Sequence, residues 1–110
     1  MRFELGRLHA LNEIHRTWTD LDQRLFPSQC NCKAVNGIDL LMIDADVSGC
    51  ISTFLRRGAL DDKRVEILHF SRKRLNQVIA GLDGHPRFYF RRLKLVTSAV
   101  LDYVDDYTSQ

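Results

Sequence analysis

The residues of this chain with the means to do chemistry are three cysteines, four histidines and a scatter of aspartates. Cys30 and Cys32 stand one residue apart, a spacing that could offer two thiolates to a soft metal. A structural zinc site needs four ligands, normally in two close pairs. Cys50 falls in an apolar stretch and no second pair follows. No bound metal and no other cofactor is therefore expected. A cysteine paired with His9, His15, His69 or His85 would be a nucleophile with its base. No local signature supports such a pair, and no glycine-rich phosphate loop is present. The inward Glu-x-x-His pattern of di-iron bundles is missing as well. The expectation is a protein without catalytic residues.

Charge is more informative than nucleophiles. The net charge is +2, but the signs are segregated. Residues 56–94 hold most of the Lys and Arg, whereas residues 95–110 hold only Asp102, Asp105 and Asp106. Asp39, Met42 and Asp46 recur at i, i+3 and i+7, one face of a helix, with Gly49 and Thr53 continuing it. An exposed methionine between acids suits protein docking. Asp44 falls among apolar neighbours, where a carboxylate needs a partner. Arg16, His15, Trp18 or a tyrosine hydroxyl could supply it. Arg87, Arg91 and Lys94 share a second face, and Arg72, Lys73 and Arg74 lie nearby in sequence. Together these cations would form a polyanion site. Phe88, Tyr89 and Phe90 read as core or core edge.

The elements that must position these residues are helices. Apolar residues recur every three to four positions at Leu8, Leu11, Ile14, Trp18, Leu21 and Leu25, predicting a helix over 7–26. Gly6 weakens its first turn and Pro27 ends it. Residues 27–37 read as a loop. A second helix is expected over 38–57, capped by Asn36 with Asp39 three positions on, and closed by Gly58. It is apolar nearly all round, as a central helix would be. Helices over 61–82 and 86–107 complete the set, with Pro86 as a first-turn residue. Trp18, Val47, Ile51, Leu75, Leu93 and Val96 are the expected core. No segment alternates with a two-residue period. The 110 residues therefore predict one all-α domain, an antiparallel bundle of about four helices. No apolar run approaches the ~20 residues of a membrane span. The odd cysteine count and a start without the apolar stretch of a signal peptide point to a reducing cytoplasm.

The order Asn36-Gly37-Ile38-Asp39-Leu40-Leu41-Met42-Ile43-Asp44-Ala45-Asp46-Val47-Ser48-Gly49-Cys50, then Phe54-Leu55 and Gly58-Ala59-Leu60-Asp61, carries a resemblance. It extends through Leu75, Val78, Leu82-Asp83-Gly84 and Tyr89-Phe90-Arg91-Arg92-Leu93. Residues 36–104 resemble small helical immunity proteins of bacterial polymorphic toxin systems, including contact-dependent growth inhibition. The resemblance implies a cytoplasmic, non-enzymatic antidote that binds one cognate toxin domain, expected to be a nuclease, and blocks its active site. It transfers no catalytic residue. Asp39, Met42, Asp46, Asp102, Asp105 and Asp106 are then the expected partner-binding set. The alternative is a nucleic-acid-associated helical protein using Arg72, Arg74, Arg87, Arg91 and Lys94. A small enzyme or metal carrier built on the cysteines is a third reading.

Overall fold

The computed structural model describes residues 2–23, 26–30 and 33–108. Four helices carry the fold: α1 (Arg2–Asp22), α2 (Leu40–Arg57), α3 (Asp62–Ala80) and α4 (Gly84–Tyr103). A π-helical turn, Val104–Thr108, prolongs α4. The all-α bundle is as expected. Its core holds Ile14 and Leu21 from α1, Val47 and Ile51 from α2, Leu75 from α3, and Leu93 and Val96 from α4. Among the described residues no helix is long and apolar enough to cross a membrane.

Several boundaries differ from the sequence reading, each for a local reason. Helix α1 starts before Gly6 and runs through it. A Cβ at Gly6 would lie 3.2 Å from the Tyr107 hydroxyl, so the small residue accommodates a close neighbour. The helix ends at Asp22; Leu25 and Cys32, both used in the sequence reading, lie outside the described residues. The expected loop contains a 3-10 turn, Ser28–Cys30, and a small antiparallel hairpin, β1 (Ala34–Val35) and β2 (Ile38–Asp39). Asn36 and Gly37 turn it with φ of 52° and 77°. Positive φ at both centres is what a type I′ hairpin turn requires, and Asn-Gly is its commonest solution. Asn36 is thus a turn residue, and Asp39 caps α2 in its place. The Asp39 carboxylate accepts the Met42 amide at 2.9 Å. Gly58 closes α2 as expected, with φ 75° and its amide donating to the Phe54 carbonyl at 2.7 Å. Helix α4 begins at Gly84, ahead of Pro86, which remains in the first turn where its missing N–H needs no partner.

The central helix is α4, not α2. It packs against α1, α2 and α3. Its buried set, from Tyr89 and Phe90 to Leu101 and Tyr103, covers a wide arc. Thr97 tolerates full burial by donating its hydroxyl to the Leu93 carbonyl at 2.8 Å. Helix α2 instead leaves Leu41 and Met42 exposed. Trp18, expected in the core, is only partly buried, because Ile14 and Leu21 are the α1 residues that reach α4 fully. Leu8 is exposed for the same reason. Phe90 is core, but Phe88 is exposed, with the Arg92 guanidinium 5.8 Å from its ring centre.

Candidate functional site

The expected acidic set falls into two separate groups. Asp39, Met42 and Asp46 follow one another along α2, all exposed. Asp39 opens that helix, and the helix runs about 22 Å at 1.5 Å per residue before it reaches Phe54. There the Phe54 ring packs on Tyr103, centres 5.3 Å apart. Asp102, Asp105 and Asp106 cluster at this far end, also exposed. Asp102 and Asp106 border a cleft between α1 and α4. Thr53, read as continuing the acidic face, is buried and donates to the Gly49 carbonyl at 2.9 Å.

What joins the first group comes from α3. Helices α2 and α3 run antiparallel, so Asp46 shares a groove with Phe70 and Arg74. Phe70 is 62% exposed and Met42 60%. The Arg74 guanidinium lies 5.2 Å from the Phe70 ring centre, a cation–π pair. Phe70 lies off the Leu68–Leu75–Val78 stripe that faces the core. An aromatic on a polar helix face was therefore visible in the sequence, though the sequence reading passed over it. Farther along, the same two helices border a wider groove of about 960 Å³. Arg56, Lys63 and Arg64 line it with Asp46. Of the acidic stripe, Asp46 thus shares both grooves with cations, and the first of them with Glu66 as well; Asp39 and Met42 line neither.

The expected basic set is also divided. Arg91 and Lys94 line a groove between α3 and α4, beside Asn76 and Leu95. Arg72 precedes Asn76 by one helical turn and Arg87 precedes Arg91 by one, so both share a helix face with a residue of that groove, although neither lines it. Arg74 lies on the other side of α3, with Asp46.

The cysteines and Asp44 complete the inventory. Cys30 and Cys50 are buried free thiols. Burial pushes both pKa values up, away from the thiolate form that reacts or binds metal. Among the described residues no three His, Cys, Asp or Glu side chains converge on a common point. Asp44 has the tyrosine partner that its setting called for: the Tyr89 hydroxyl donates to Oδ1 at 2.6 Å. Partial burial raises the Asp44 pKa, and the tyrosine opposes this only in part. No protein-family model, curated protein or solved structure matches the chain.

Proposed function

We propose that this protein acts by binding another protein through its α2–α3 face, with Met42, Asp46, Phe70 and Arg74 as the contact residues. The observation that carries the reading is two large apolar side chains left more than half exposed on these helices, Met42 on α2 and Phe70 on α3, with Asp46 and Arg74 bordering Phe70. Aromatic, Met and Arg side chains dominate the energetics of protein interfaces, and isolated polar rims do not. The partner class comes from the resemblance: a cytoplasmic immunity protein whose partner is a toxin domain, with the bound chain covering the toxin's active site. Asp39 borders the contact. Asp102, Asp105 and Asp106, at the far end, act on a cationic partner through their long-range field.

The test is protection and affinity together. If a toxin domain is encoded beside this chain, co-expression with it is expected to restore growth. Replacing Met42 and Phe70 by alanine is expected to weaken the purified complex at least tenfold, as loss of about 2 kcal/mol at a hot spot does. Both side chains are exposed, so the variant should melt with the wild type. A double variant that binds as wild type overturns the assigned face. Failure of the wild type to bind or protect overturns the toxin reading.

The polyanion alternative keeps one specific support, Arg91 and Lys94 in the α3–α4 groove, with Arg72 and Arg87 on helix faces shared with residues of that groove. It predicts that binding to duplex DNA or RNA falls steeply with salt, and that charge reversal at Arg91 and Lys94 flattens that slope.

A further inference from the structure

Next to the wide α2–α3 groove, with which it shares Gly49 and Ser52, α1 and α2 leave a second groove of about 390 Å³. Tyr89 of α4 forms part of its lining, and Trp18 and Phe26 add two more aromatic side chains. Asp44 and Asp22 bring a carboxylate from each of the two flanking helices. Ser48 and Ser52 continue the Asp44 face of α2 at one-turn intervals, so that face presents oxygen acceptors along its length.

Asp44 is half-buried and Asp22 exposed. Asp44 receives one neutral donor, the Tyr89 hydroxyl. Among the described residues no cation forms an ion pair with Asp44 or Asp22. Asp44 and Asp22 both act on Tyr89, whose pKa is raised by burial and by its hydrogen bond to Asp44 and then by the two negative charges. A partly buried carboxylate in such a place is costly unless a cation joins it. Aromatic faces beside it favour a cation that is weakly hydrated and partly organic. Metal ions demand a richer set of ligands than two carboxylates.

We propose that this groove is a binding site for an organic cation, a guanidinium or alkylammonium group held between Asp44 and Asp22 against the rings of Trp18 and Tyr89. None of the four proposed docking residues, Met42, Asp46, Phe70 and Arg74, lines this groove. Its size falls within the range of roughly 300–1,000 Å³ typical of small-ligand sites. The cation has two possible sources, a free small amine or an arginine or lysine side chain on an extended peptide.

The experiment uses the protein's own reporter. Trp18 is the only tryptophan in the chain, so its fluorescence reads this groove without interference. The intact protein is titrated with agmatine, with a blocked Gly-Gly-Arg-Gly-Gly peptide, with the same peptide carrying neutral citrulline, and with calcium chloride. The expected result is a saturable change with agmatine, the arginine peptide or both, with Kd on the order of 1 mM or tighter, and none with citrulline or calcium. Response to agmatine alone assigns the site to small amines; response to the peptide alone, or tighter binding of it, assigns it to a protein side chain. Asp44→Asn, which keeps an acceptor for Tyr89, is expected to weaken binding at least tenfold. Tyr89→Phe is the second variant and is expected to weaken it less. No response to either cation, an equal response to citrulline, or unchanged binding by a folded Asp44→Asn protein overturns the proposal.

Discussion

Asp39 and Asp46, about two helical turns apart, have different duties. Asp39 holds the Met42 amide and closes the open end of the helix. Asp39→Ala is expected to cost about 1 kcal/mol in urea unfolding, within the usual 0.5–2 for a lost cap. Asp46→Ala, at an exposed mid-helix site, should stay within about 0.5 kcal/mol. Any binding experiment that reverses both charges must therefore separate lost contact from lost capping. Asp44 acts in the opposite sense. Burial raises its folded-state pKa above the ordinary aspartate value of 3.8. Between those two values the folded protein binds more protons than the unfolded chain, so stability falls as pH rises through that window. The penalty is fully present at neutral pH. Asp44→Asn removes it, and is expected to unfold at equal or higher denaturant than wild type at pH 7. The difference should shrink toward pH 3, as measured by denaturant midpoints at both pH values.

Among the elements, the β1–β2 hairpin shows how a short segment is held by its neighbours. A two-stranded hairpin of this size has little stability of its own. The Asn36 side-chain amide donates to the Gln77 carbonyl at 2.9 Å, near the end of α3. Val35 fills the space over Gly81, where a Cβ would lie 2.4 Å from its Cγ1. Gly81 has an ordinary negative φ of −98°, so the demand there is for room and not for backbone freedom. Gly81→Ala is expected to destabilise by about 1–3 kcal/mol, the usual cost of overpacking. Val35→Ala in the same chain should recover part of that loss, giving a favourable coupling in a double-mutant cycle. Additive effects would show that the hairpin does not rest on this contact.

For the whole molecule, the separation of the two acidic groups along the bundle sets how a partner arrives. Asp102, Asp105 and Asp106 stand at the end remote from Met42, so they contribute by steering a cationic partner and not by contact with it. Replacing all three by asparagine is expected to slow association several-fold at low salt and to leave dissociation unchanged. The difference should fade at about 0.5 M salt, where screening is nearly complete over such distances. An effect confined to the dissociation rate would place these aspartates inside the interface instead.

Helix type and the main stripes were legible in the sequence because a 3.6-residue period is a local property. Val47, Ile51, Leu75, Leu93 and Val96 are all buried as their spacing required. The Gly58 cap was equally local. The Asn36-Gly37 turn was not read from the sequence, where Asn36 stood as the N-cap of α2; positive φ at both residues makes it a hairpin turn. What spacing could not give was which helix lies at the centre, since that depends on how several apolar arcs divide a shared core. Trp18, Leu41 and Phe88 are apolar by type, yet the arcs of α1, α2 and α4 do not all close over them. Nor could spacing along one helix reveal that Arg74 stacks on Phe70 beside Asp46, or that Tyr89 meets Asp44 across 45 residues of chain. Those pairings come from the crossing of separate helices, and only the packed tertiary structure brings such residues within reach of one another.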